Sequence, residues 1–140
     1  MELTNPINIS VSIIIVNYRT PSLTLACIDS IYAHTKGIDF EVIVVDNHSE
    51  DDSVERLSKD NRIILIESSR NGGFGYGNNL GMKVARGKYF FLLNSDTLLV
   101  NNAIKEFYDY AESHEPKTLY GCYLIGDDGT YRGSFHYFPA

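Results

Sequence analysis

Lys88-Tyr-Phe-Phe-Leu-Leu-Asn94-Ser95-Asp96-Thr97 is the stretch on which the fold turns. Its apolar run, Tyr89 to Leu93, predicts a buried strand. The run ends on a short polar cluster with one carboxylate, Asp96. In open α/β sheets, ligands sit outside the carboxyl ends of the strands. A carboxylate there can hold a divalent metal, and the metal can hold a diphosphate. Aspartate also caps helices, so this residue alone leaves both readings open.

Working outward, strand and helix patterns alternate. Val11 to Asn17 is a β-branched apolar run and predicts a buried strand. Thr20-Pro21 reads as an N-cap with proline at the first helical position. Leu23, Ala26, Cys27, Ser30 and Ile31 recur at helical spacing, predicting a helix over 21–35 that stops before Gly37. Phe40 to Asp46 is a second buried strand. Ser49 is expected to cap a short helix from Glu50 to about Lys59, with acidic residues in its first turn. Arg62 to Glu67 is a third strand. A glycine-rich loop over 72–77 leads into a helix from about Tyr76 to Ala85, and the Tyr89–Asn94 strand follows. Asn101 to His114 reads as a helix. Leu119 to Ile125 and Thr130 to Tyr137 read as strands about the turn Gly126-Asp-Asp-Gly129.

Such alternation predicts one α/β domain over residues 1–140, with a mostly parallel, Rossmann-like sheet flanked by helices. The last 20 or so residues break the pattern and should form a C-terminal antiparallel hairpin. The chain ends on Phe138-Pro139-Ala140 with no polar tail, as expected of a truncated protein.

At 140 residues, 44% hydrophobic and 21% charged, the composition is that of a soluble globular protein. The net charge of -6 argues against a nucleic-acid partner, because phosphate binding needs a basic surface. It leaves room for a phosphorylated ligand, since a metal supplies positive charge locally. The longest apolar runs fall far short of a membrane span of about 18 residues. No signal peptide is visible at the start. Cys27 and Cys122 make no metal-binding spacing and read as plain thiols of a reducing cytoplasm.

Three predicted strands end in polar clusters: Asn17-Tyr18, Asp46-Asn47 and Asn94-Ser95-Asp96. A parallel sheet puts these ends on one edge, which then carries two carboxylates, an aromatic ring and several amides. That is the composition of a nucleotide site. Tyr18 can stack on a base, Asp46 can accept hydrogen bonds from a base N–H or a ribose hydroxyl, and Asp96 can bind metal. The bland alternative is three ordinary helix entries. Asn71-Gly-Gly-Phe-Gly-Tyr-Gly-Asn78-Asn79 is the second signal. Four glycines in six residues allow close approach to a ligand, and the following helix N-terminus suits anions. Here the alternative is a mobile loop. A dinucleotide fingerprint fits poorly, because the third glycine is missing and the loop follows the third strand rather than the first. The four histidines have no ligand spacing, although His48 sits beside Asp46.

Val11-Ser-Ile-Ile-Ile-Val-Asn-Tyr18, Val44-Val-Asp-Asn-His-Ser49, Asn71-Gly-Gly-Phe-Gly75 and Leu93-Asn-Ser-Asp96 resemble, in order, the motifs of family 2 glycosyltransferases. The rhamnosyltransferase-like branch is the most similar. The resemblance implies a GT-A nucleotide-sugar-binding fold and inverting sugar transfer from a dTDP- or UDP-linked donor to a saccharide or lipid-linked acceptor. Asp46 matches the acid that contacts base and ribose, and Tyr18 matches the aromatic after the first strand. Asp96 matches the last acid of the Asp-x-Asp metal motif, implying Mg²⁺ or Mn²⁺. Asn17, Asn71, Gly73, Asn78 and Ser95 complete the expected nucleotide site. Two departures stand out: Asn94 replaces the first acid of the metal motif, and Asn47 stands where many members carry a second aspartate. The resemblance places the general base in an acceptor-binding half after this region. No matching residue precedes Ala140, so this chain is expected to be the donor half; the alternative is a module that holds a nucleotide or nucleotide-sugar without catalysis. It is further expected to act in the cytoplasm, free or at the inner membrane face, and to pair as a homodimer through its C-terminal edge.

Overall fold

All seven residues of Val11–Asn17 are buried, as a continuous β-branched run requires when both faces of a strand are covered. A computed structural model of the protein describes residues 8–122 and 124–132. The elements follow in the order β1 (Val11–Asn17), α1 (Pro21–His34), β2 (Phe40–Asp46), α2 (Ser53–Ser58), β3 (Ile63–Glu67), α3 (Phe74–Val84), β4 (Tyr89–Asn94), α4 (Ala103–Glu112), β5 (Leu124–Ile125) and β6 (Tyr131–Arg132). The first four strands form a parallel sheet in the order β3-β2-β1-β4, and β5 and β6 form a separate antiparallel hairpin. The expected fold class is therefore the observed one.

Two cores sandwich the sheet. On one face Ile13, Ile15, Val42 and Val44 meet Cys27, Ile28 and Ile31 of α1, Leu57 of α2 and Ile104 of α4. On the other, Ile14, Ile43 and Val45 meet Leu80 and Met82 of α3. α3 lies close to the sheet because Gly81 has no side chain. A methyl there would sit 2.6 Å from Ile14 Cγ2. β1 and β2 are covered on both faces, whereas β4 is not. Phe90 and Leu92 are 50% and 48% exposed. The expectation of a fully buried fourth strand is corrected accordingly: α3 packs over β1 and β2 and leaves that face of β4 open among the described residues.

At the end of the sheet opposite the carboxyl ends, a buried clasp ties the crossover to the strands. Glu41 on β2 accepts hydrogen bonds from Ser12 Oγ (2.7 Å), Arg86 N (2.8 Å) and the Arg86 guanidinium (2.8 and 3.0 Å). Gly87 N in turn donates to Ser12 Oγ at 2.8 Å. Burial works to raise the Glu41 pKa, but these donors outweigh it and hold the carboxyl below its ordinary value.

Several boundaries differ from expectation. α2 starts at Ser53 rather than Glu50, because Ser49 is drawn back to Asp46 and the Asp51 carboxylate takes the Ser53 N–H at 2.8 Å. α3 begins two residues early, at Phe74, and α4 is shorter at both ends. The Gly126–Gly129 turn is present, closed by Gly126 N to Thr130 O at 2.8 Å. The strands around it are only two residues each among those described. Residues 133–137 of the expected last strand lie outside the described residues.

Candidate functional site

β1 is followed by β2 and β3 on one side of the sheet, and the chain then returns to place β4 on the other side. This reversal opens a crevice at the carboxyl ends of β1 and β4, where α/β sheets bind ligands. The register aligns the expected residues there: Asn17 pairs with Asp46, and Val16 with Asn94. An open cleft of about 300 Å³ occupies the crevice, lined by Tyr18, Thr20, Asn47, Asn71, Phe74 and Ser95 among others.

The floor beneath the cleft is a buried polar network. Asp46 Oδ1 accepts from Asn17 Nδ2 (2.9 Å) and Ser49 Oγ (2.6 Å), and Oδ2 accepts from Ser49 N (3.1 Å). Asn17 Oδ1 takes the Thr24 hydroxyl at 2.7 Å. Arg19 closes the network from above, its N–H and Nε donating to Ser49 Oγ and O at 3.0 and 2.9 Å. The backbone around this network is bent. Arg19, His48 and Glu50 all adopt positive φ, at 57°, 62° and 55°. Such strain persists where surrounding structure over-determines it, commonly at ligand sites.

Asn47 is the informative side chain in the cleft wall. Its Nδ2 donates to Asn71 Oδ1 (2.8 Å) and Gly73 O (3.2 Å), which sets the orientation of its amide. Its Oδ1 is buried with no hydrogen-bond partner. A buried acceptor left unsatisfied costs about 1–3 kcal/mol, and this one belongs to a side chain that lines the cleft. Asn71 Oδ1 also takes the Gly73 N–H at 3.0 Å, and Gly73 adopts φ +90° to turn the chain into α3. On the opposite lip, the Thr20 and Ser95 hydroxyls share a hydrogen bond of 3.3 Å. Thr20 thus stands at the start of α1 without making the expected side-chain cap.

Of the residues expected from sequence, Tyr18, Asn71, Gly73 and Ser95 line the cleft. Asn17 and Asp46 lie under it and are buried. Asn78 is buried one turn into α3, and its Oδ1 also lacks a partner. Asp96 is exposed beside Ser95, and no side-chain hydrogen bond or ion pair engages its carboxylate among the described residues. Among those residues there is no cluster of three His, Cys, Asp or Glu able to hold a metal. One free carboxylate fits a Mg²⁺ or Mn²⁺ ion held largely by a ligand's phosphates and water. His48 turns to Glu50 at 3.3 Å. The Cys27 thiol is pushed up to about 11 by burial, and is therefore an inert core group. Cys122 is exposed. Thr20 and Phe74 are cleft residues that the sequence did not assign to the site, and Asn47, which also lines the cleft, entered only as a neighbour of Asp46 that departs from the family motif. Asn47 was signalled by its place beside Asp46, and Phe74 was hidden by the glycines around it.

Three comparisons bear on this architecture. Residues 12–139 match the model of Glycosyl transferase family 2. The chain is 32% identical over 128 residues to the Escherichia coli UDP-Glc:alpha-D-GlcNAc-diphosphoundecaprenol beta-1,3-glucosyltransferase WfaP, covering 89% of this chain and 50% of that protein. Staphylococcus aureus TarS 1-349, in complex with UDP-GlcNAc, superposes with a TM-score of 0.65 and 26% identity over 76% of this chain and 32% of that one. Pyrobaculum calidifontis mannosyltransferase PcManGT, in complex with GDP-Man and Mn²⁺, shares the fold at a TM-score of 0.62, with 24% identity over 68% of this chain and 30% of its own. The chain spans half or less of the length of the relatives it matches. With the parallel sheet, the crevice at its reversal point and the family match over nearly its whole length, this chain belongs to glycosyl transferase family 2.

Proposed function

We propose that the cleft binds a nucleotide-diphosphate sugar and that the chain is the donor-binding part of a glycosyltransferase. The observation that carries this reading is the buried, unpaired Asn47 Oδ1 in a cleft lined by Ser95, the sequence neighbour of the exposed Asp96. Tyr18 offers a ring to the base. Asn47 accepts a base N–H, while Asp46 holds Asn17, Ser49 and Arg19 in place beneath the nucleotide. Asn71, Gly73 and Ser95 border the nucleotide, and Asn78 backs it from α3. A Mg²⁺ or Mn²⁺ ion at Asp96 would neutralise the diphosphate and stabilise it as leaving group. Binding of UDP-GlcNAc by TarS and of GDP-Man with Mn²⁺ by PcManGT supports this arrangement.

In this reading transfer is inverting and the donor is a dTDP- or UDP-linked sugar, as in the rhamnosyltransferase-like branch. The acceptor is a saccharide or lipid-linked saccharide, in line with the diphosphoundecaprenol acceptor in the name of WfaP. The setting is cytoplasmic, at the inner membrane face. No helix among the described residues is long and apolar enough to cross a membrane. The general base that deprotonates the acceptor is supplied from outside residues 1–140.

Calorimetric titration of UDP and dTDP, with and without Mn²⁺, tests the reading. Metal-dependent binding that is lost in Asp96→Ala is expected. Binding that is equally tight without metal, or in Asp96→Ala, would refute the role of Asp96. Absence of binding to either nucleotide would refute the site.

A further inference from the structure

The inference concerns Phe74, and it rests on the nucleotide-binding reading above. Phe74 opens α3 and lines the cleft, yet its ring is 52% exposed. Tyr18, 41% exposed, lines the same cleft from the end of β1. A single exposed aromatic needs no explanation. Two in one cleft of this size, on different elements, form a pattern.

Their surroundings sharpen it. The Arg19 guanidinium lies over the Tyr18 ring, 5.0 Å from its centre. One face of Tyr18 is therefore taken by a cation, while the residue as a whole stays exposed to the cleft. Phe74 is brought to the cleft by the positive φ of Gly73, whose carbonyl is held by Asn47 Nδ2. The amide that carries the unpaired Oδ1 thus also anchors the turn that presents Phe74. Two apolar walls with a hydrogen-bond acceptor among them match a planar heterocycle bearing an edge N–H.

We propose that Phe74 is a second stacking wall, so that the nucleobase is held between Tyr18 and Phe74 with an edge N–H on Asn47 Oδ1. Stacking on two rings tolerates different bases, because every base has a π face. The N–H contact then fixes the edge that the base presents. The orientation of the Asn47 amide leaves only an acceptor there.

The chain has no tryptophan, so Phe74→Trp introduces a sole reporter at the wall. Its fluorescence should be quenched by UDP and by UMP, and left unchanged by pyrophosphate with Mn²⁺. Phe74→Leu keeps an apolar side chain but removes the ring, and should weaken UDP binding about tenfold. Its affinity for Mn²⁺-pyrophosphate should match that of the parent chain. Phe74→Tyr should restore UDP binding. If the parent chain binds UDP and Phe74→Leu binds it equally well, the second wall is refuted while the nucleotide site stands. If the parent chain binds Mn²⁺-pyrophosphate but neither UDP nor UMP, both the wall and the nucleotide reading fall.

Discussion

Asp46 and Tyr18 sit a few ångströms of backbone apart in the register and do opposite work. Asp46 is 3% exposed and receives three donors. Removing its carboxylate strands the Ser49 N–H, takes the acceptor of the Ser49 hydroxyl and leaves Asn17 Nδ2 only its 3.4 Å contact to Ser49 Oγ. Asp46→Ala should therefore destabilise the fold by about 3 kcal/mol in urea denaturation and abolish nucleotide binding with it. Tyr18 makes no such contribution to the interior. Tyr18→Ala should leave the denaturation midpoint within error and still weaken UDP binding, a split that separates ligand contact from support. Sequence placed both residues at a strand end, which is local information. It assigned Asp46 a ligand contact because burial of that carboxylate depends on Ser49 folding back, a tertiary event no local pattern encodes.

Among the elements, the α3–β4 crossover is secured by a buried charge. Glu41 is nearly inaccessible and satisfied by Ser12 and Arg86. Its folded pKa lies below the ordinary value. The stability it contributes is therefore present above the unfolded carboxyl pKa of about 4.3, and it is lost as pH falls through the folded value. Glu41→Gln should cost about 2 kcal/mol near neutrality. Its stability curve should converge with that of the parent chain in acid, as measured by thermal unfolding from neutral to low pH. A gap that persists undiminished in acid would show that the clasp acts through shape rather than charge. The alternating strands and helices of this region were legible from apolar periodicity, because each element buries its own stripe. The clasp was not, since Ser12, Glu41 and Arg86 are separated by tens of residues and meet only in the folded sheet.

At the scale of the molecule, the chain carries the candidate crevice and, among the described residues, several exposed apolar groups. Phe90 and Leu92 on β4 and Ile125 and Tyr131 on the hairpin are about half exposed or more. Exposed apolar surface drives association, and light scattering should find a homodimer, formed through the C-terminal hairpin, at high protein concentration. A monomeric mass there would refute the pairing. If the general base is supplied from outside residues 1–140, as proposed above, the 140-residue chain should bind nucleotide sugar and transfer no sugar at enzymatic rates. A radiolabelled-donor assay showing normal turnover would overturn that division. The sequence by itself determined the parallel α/β class, the order of its elements and the three polar strand ends, because periodicity and turn chemistry are local and the carboxyl ends of parallel strands share an edge. Only the tertiary structure decided that β4 keeps one open face, that Asp46 supports the cleft from below, and that Asn47 and Phe74 line it. Those outcomes depend on which distant side chains compete for the same space and the same hydrogen bonds, and that competition is settled only when the sheet and its helices have packed.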